Sequence, residues 1–267
     1  MARQKGHIKY VGTIGDVRHF KIKGSKGYFA GLTGGPTAEQ IATAPEFART
    51  RENMNEFGGC ALVGKSFRNS ISGLIKAIGD SRVAGRLTGI MKKINLEDGS
   101  EARGKRSILI SQASQYLKGF EFNKYTPFDS VVRFQYETIV AADRKSIEVK
   151  ADGMLPIDNL KAPSGATHFS LVNALSVMSD FEYNSDTGTY QPKEDALNEI
   201  AVISKMTESK IDEIIPPLIL PLALPDDVTL TPDVSVVHVI AVEFYQEVNG
   251  NFYLLSQGNA MKVNQIF

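Results

Sequence analysis

The chain has 267 residues, 42% of them hydrophobic and 22% charged, and its 30 Lys+Arg balance 30 Asp+Glu to a formal net charge of zero. That composition excludes wholesale disorder, the length predicts two domains, and no apolar run approaches the ~20 residues of a membrane-spanning helix. The zero hides a division: residues 1–126 carry 21 Lys+Arg against 10 Asp+Glu, and residues 127–267 carry 9 against 20.

The first 32 residues read as a β-meander. Ile8 and Tyr10 share one face, Gly12, Gly15 and Asp16 supply a turn, and Phe20 and Ile22 alternate with Arg18, Lys21 and Lys23. A second turn at 24–27 leads to Tyr28 and Phe29. Lys5, Lys9, Arg18, Lys21, Lys23 and Lys26 make one edge or face of this sheet positive. Such lysines serve either a partner or the defence of an exposed edge against pairing.

Helix signals begin at Thr37, where Thr37 and Gln40 fit a capping box and Pro45 suits a first turn. From Phe47, a stripe through Thr50, Met54, Phe57, Cys60, Gly64, Phe67, Ile71, Leu74 and Ile78 recurs in steps of three or four, the period of an amphipathic helix. After Asp80 and Ser81, Val83, Leu87, Ile90 and Ile94 predict a second helix, antiparallel to the first. Residues 95–106 read as a loop, and residues 107–120 fit strand and helix equally.

The second half changes to period two. Val132–Val140, Ile147–Ala151, Phe169–Val177 (with Asn173 the polar exception), 199–206, 234–248, Asn251–Ser256 and Met261–Phe267 predict short strands. Pro216, Pro217, Pro221 and Pro225 confine the run at 214–225 to a sheet edge or an extended connection. Asn249-Gly250 is the strongest hairpin signal in the chain. The expected fold is therefore α+β and mostly β: a basic β-meander with a helical hairpin over 1–126, then an acidic antiparallel immunoglobulin-like β-sandwich over 127–267.

Gly59, Gly64, Lys65 and Ser66 satisfy the P-loop spacing G-x-x-x-x-G-K-[ST]. A phosphate-cradling loop must follow a buried strand, whereas Arg49–Glu56 is polar and helical in period and the stripe runs on through the motif, so the match reads as coincidence. His7 and His19 face each other across the first hairpin, but two ligands do not make a metal site. His168 and His238 sit in strand patterns. The single cysteine, Cys60, excludes an internal disulfide framework, and no nucleophile has recognisable partner spacing. No metal and no cofactor is expected. The basic start Met1–Tyr10 has no apolar stretch behind it, so synthesis in the cytoplasm without a secretory signal is expected. Arg49, Arg51, Glu52, Asn53 and Glu56 form a dense polar cluster that reads either as a solvated helix face or as an interface.

The opening Met1-Ala-Arg-Gln-Lys-Gly-His-Ile-Lys, then Gly12-Thr-Ile-Gly15 and Phe20, resembles the start of an uncharacterised bacterial family. Arg49-Thr-Arg-Glu-Asn-Met-Asn-Glu-Phe57 followed by Arg68 is similar to that family's second block. The resemblance spans about residues 1–115. It implies a non-enzymatic component with no catalytic residues, and the Gly-Lys-Ser of this chain is not part of the family pattern.

These readings predict a structural protein that self-associates, because opposite charge on two halves of one chain favours head-to-tail contact between copies. The candidate interface comprises Lys5, Lys9, Arg18, Lys21, Lys23, Arg49, Arg51, Glu52, Glu56 and Phe267, with the first and last strands suited to addition at a partner's sheet edge. The alternatives are a nucleic-acid-binding protein using the basic module and, third, a nucleotide hydrolase using Gly59–Ser66. Nucleic acid is the less expected partner, since Tyr10, Phe20, Tyr28 and Phe29 read as a small core rather than as stacking platforms.

Overall fold

Turn residues divide the first 32 residues into four short strands in the computed structural model, which describes residues 2–267. These are β1 (Ala2–Arg3), β2 (Gly12–Ile14), β3 (Val17–Phe20) and β4 (Phe29–Leu32), paired antiparallel in the order β1-β4-β3-β2. The strand expected through Ile8 and Tyr10 is a loop instead. Gln4 gives the physical reason, because its side chain accepts from the Tyr10 amide at 3.0 Å and donates to the carbonyls of Tyr10 and Phe29, occupying groups a strand would pair. Helix α1 (Ala38–Thr43) opens on the Thr37/Gln40 capping box, and Pro45 starts the 3-10 turn Pro45–Phe47. Residues 2–51 form one unit and residues 52–267 a second, called the body below.

The predicted long helix is α2 (Ala48–Ser70), which breaks at Ile71 (φ −121°, ψ 32°) before α3 (Ser72–Ile78). From Cys60 on the expected stripe is buried (Cys60, Gly64, Phe67, Ile71, Leu74, Ile78), but before it Glu56 points inward while Met54 and Phe57 are both 59% exposed. A Cβ on Gly59 would lie 2.5 Å from the Tyr190 ring, so the ring packs directly on the helix backbone there. Helix α4 (Val83–Glu97) returns antiparallel, with Leu87 and Thr88 against Gly64 and Lys92 reaching Glu56. Residues 107–120 are neither strand nor helix beyond one bridge, Ile108 to Phe181, and a 3-10 turn at Ser114–Tyr116.

The rest is mostly strand. After α5 (Phe128–Val131) come β5 (Tyr136–Val140), β6 (Ser146–Ala151), α6 (Pro156–Asn159), β7 (His168–Ser179), the hairpin β8 (Phe181–Asn184) and β9 (Thr189–Pro192), then β10 (Ala201–Lys205) and β11 (Ser209–Lys210). β12 (Leu218–Ala223), β13 (Val234–Val248), β14 (Asn251–Leu254) and β15 (Ala260–Ile266) complete the chain. β7 and β13 pair over twelve residues at the centre of a six-stranded antiparallel sheet, flanked by β10 and β11 on one side and by β14 and β15 on the other. A three-stranded sheet has the order β12-β6-β5, which puts the proline-broken run at an edge. At the Asn249-Gly250 turn both residues have positive φ (53° and 79°), as a two-residue hairpin between right-twisted strands requires.

The body therefore has three layers. One face of the large sheet (Val172, Ala174, Met178, Val237, Val239, Ala241) packs on Cys60, Val63, Phe67, Leu87 and Met91 of the helices. The other face (Leu171, Leu175, Val177, Val236, Ile240, Val242) packs on Ile147, Val149 and Leu222 of the small sheet. Cover on both sides explains why every residue of β7 is buried and why β13 reads as apolar on both faces. The molecule is mixed α/β and mostly β. The change of charge at 126/127 falls inside the body, next to α5.

Candidate functional site

The predicted interface residues have different neighbours. Lys9 donates to the carbonyls of Gln4 and Gly6, Arg18 lies over the Phe20 ring, Lys21 lies over Tyr28, and Lys5 and Lys23 are exposed. Arg51 donates to the carbonyls of Ile41 (2.7 Å) and Ala44 (2.9 Å), closing the end of α1, and Arg49 is exposed. In the body, Glu52 pairs with Arg103 at 3.5 Å. Phe267 exchanges two backbone hydrogen bonds with Val236 and packs on the core between the sheets.

Glu56 is 1% exposed and binds Lys92 and the Gly104 amide (2.7 Å), with Arg106 at 4.0 Å. Burial raises its carboxyl, but the Lys92 hydrogen bond, the Gly104 amide and the two cations outweigh it and hold the group below its usual range. Glu56 therefore pins the 99–106 loop to the two helices. Gly59, Gly64, Lys65 and Ser66 all lie within α2, where backbone amides bond along the helix. Lys65 is exposed, whereas buried Ser66 accepts from Asn198 at 2.9 Å, so the two side chains point apart.

What sets residues 2–51 apart is their burial. None of the described residues 2–51 is buried, whereas both cores of the body are dense and use no residue before Cys60. Across strands β4, β3 and β2, Leu32, Val17 and Ile14 form one row, with Leu32 79% and Ile14 60% exposed. Tyr10 packs edge-on against His19 on the same face, and Ile8 and Val11 are exposed as well. Nine Lys+Arg against three Asp+Glu give this unit a net +6, and the body carries the matching −6. The aliphatic members of this surface were missed in the sequence because they sit on three different strands and share a row only once those strands pair. The available signal was that no second apolar segment exists before residue 37 to cover them.

A second polar region lies where β5 meets β15, in a cleft of about 570 Å³ lined by Asp129, Arg133, Tyr136, Thr138, Lys262 and Asn264. Lys262 is held by Asp129 and lies over the Phe128 and Tyr136 rings, and Tyr136 donates to Asn264 at 3.0 Å. Behind it, Asn264 donates to His238 Nδ1 and to Thr138, and His238 Nε2 meets Asn173, so the polar exception in β7 exists to serve a buried imidazole. Burial drives His238 down to about 3 and keeps it neutral. Asp129, Tyr136, Thr138, Lys262, Asn264, His238 and Asn173 are paired with one another, which makes this cluster a structural tie between the two sheets.

Glu121, beside this cleft, accepts from the Phe128 amide at 3.0 Å. Burial, helped by Asp129, pushes its carboxyl up to about 7, against that amide and the charges of Lys262 and Arg86. The folded chain thus keeps a proton that an unfolded glutamate releases near 4.5. Stability is expected to fall as pH rises from about 4.5 to about 7, by about 3 kcal/mol, and to stay lower above that. Glu121→Gln is expected to raise the melting temperature at pH 8 and leave it unchanged at pH 4.5. Equal shifts at both pH values in thermal unfolding would contradict this.

Among the described residues no group of three or more His, Cys, Asp or Glu could hold a metal ion, and no helix is long and apolar enough to cross a membrane. Comparison of the chain with family models, with curated proteins and with solved structures finds no match.

Proposed function

We propose that the chain is a non-enzymatic structural subunit that self-associates head to tail, using its basic N-terminal unit against the acidic body of the next copy. The observation that carries this reading is a four-stranded sheet without a buried residue that presents Ile14, Val17 and Leu32 in a row. A small sheet gains independent stability only by covering an apolar face, and each aliphatic side chain contributes about 1.5–3 kcal/mol when fully buried. Charge of +6 on the unit and −6 on the body steers the encounter, and apolar burial holds it, because exposed ion pairs alone contribute little. The contact is heterologous, so it closes into a ring or propagates as a filament according to the rotation between copies. In this reading the body is a rigid spacer, and its likeness to an immunoglobulin-like sandwich rests on the face-to-face packing of its sheets alone.

Sedimentation velocity at tens of micromolar and low salt is expected to give species larger than a monomer that shrink as salt rises. Deleting residues 2–36 is expected to leave a monomer with the circular dichroism of a folded body, since neither core uses those residues. A monomeric full-length chain under those conditions would overturn the reading. A nanomolar complex with DNA or RNA at physiological salt would favour the nucleic-acid alternative instead.

A further inference from the structure

The three-stranded sheet β12-β6-β5 covers the core with one face and leaves the other open. Register aligns Ile139, Glu148 and Pro221 in one row and Glu137, Lys150 and Ile219 in another, and Ala141, Ser146 and Ala223 follow at one end. The solvent face of an antiparallel sheet is ordinarily polar. Here Ile139 is 41% and Ile219 is 58% exposed, and Pro221 and Ala223 are exposed too. The only cation facing out from these strands, Lys150, is tied to Glu148 at 2.7 Å. Asp143, Asp152, Asp226 and Asp227 are exposed around the same sheet.

Resting on the proposed self-association, we infer that this outer face is the surface that receives the N-terminal sheet of a neighbouring copy. Two hollows mark it. One of about 400 Å³ is lined by Ile139, Ala141, Ser146, Pro221 and Ala223, and the other, of about 480 Å³, by Glu137, Lys150, Asp152, Pro217 and Ile219. They lie along the strand direction about four residues apart, which is roughly 13 Å at the usual rise. The incoming row runs across its strands, and Ile14 and Leu32, two strands apart, are separated by about 10 Å. Two aliphatic knobs across one sheet meet two hollows along the other when the sheets cross near a right angle, one of the two stable sheet-on-sheet packings. The charges agree: a unit of +6 approaches a face whose rim carries Asp143, Asp152, Asp226 and Asp227 against Arg144 and Lys145.

The experiment uses the full chain. Ile139→Lys with Ile219→Lys is expected to weaken assembly at least tenfold in sedimentation while thermal unfolding of the body stays as in the parent. A second measurement avoids reliance on that variant. Leu32→Cys and Ile219→Cys chains are mixed and oxidised, with Cys60 left in place because it is fully buried and its thiol is pushed up to about 12. A disulfide-linked dimer formed from the mixture but from neither chain alone supports the inference. Oligomers that persist in the lysine variant, or no cross-link in a mixture that still assembles, overturn this face while self-association stands. An intrachain cross-link when both cysteines are placed in one chain, at a concentration where the mixture gives no dimer, overturns the second copy as occupant. A monomeric parent chain overturns the reading on which the inference rests.

Discussion

Deleting residues 261–267 is expected to unfold the body. The terminal segment looks detachable in the sequence, as an end strand free to add to a partner. In the structure Met261 and Val263 of β15 are fully buried against the helices, and β15 pairs with β13 over residues 260–266. On its other side, residues 119–122 bond to Met261 and Val263, so removal strips partners from both neighbours. Lys262 also carries the contact to Asp129, and Phe267 closes onto Val236. Losing two buried side chains alone costs about 4–8 kcal/mol, comparable with the whole stability of an ordinary domain. Circular dichroism and urea titration of the truncated chain should show no cooperative transition. A truncated chain that melts cooperatively within a few degrees of the parent would refute this.

Glu56→Ala is expected to cost about 1.5–3 kcal/mol at pH 7, a fall of roughly 5–10 °C in melting temperature, because it leaves the Gly104 amide without its acceptor and Lys92 with Asn95 alone. The acid dependence has a defined sign. The folded carboxylate titrates below its usual range, so its contribution is complete above about pH 4.5 and is lost as pH falls through the lower folded value. The difference between parent and variant should therefore narrow in acid. Urea unfolding at pH 7 and at pH 3.5 tests both parts, and a difference under 1 kcal/mol at pH 7 would exclude the role given to Glu56.

Local chemistry was legible in the sequence wherever one residue dictates a backbone state. Thr37 and Gln40 cap α1, Asn249-Gly250 turns the hairpin, and Pro221 keeps β12 at an edge. Each of these is decided within a few residues and survives any tertiary arrangement. The alternation that predicted β5, β6, β7 and β13 survived for a related reason, since burial of one or both faces is what period two encodes. What neighbours decide could not be read. The stripe was legible from Cys60 onward, but at the start of α2 Tyr190, 131 positions away, packs on Gly59, and there Met54 and Phe57 face outward and Glu56 inward. Glu56 looked like a surface charge because its partners, Lys92, Gly104 and Arg106, are brought to it only by the return of α4. The same limit applied to the N-terminal sheet. Tyr10, Phe20, Tyr28 and Phe29 promised a small core there, and only strand pairing brings Ile14, Val17 and Leu32 into one row that nothing else in residues 2–51 buries. Sequence fixes which side chains share a face, but whether that face is a core or a surface depends on whether a second layer arrives.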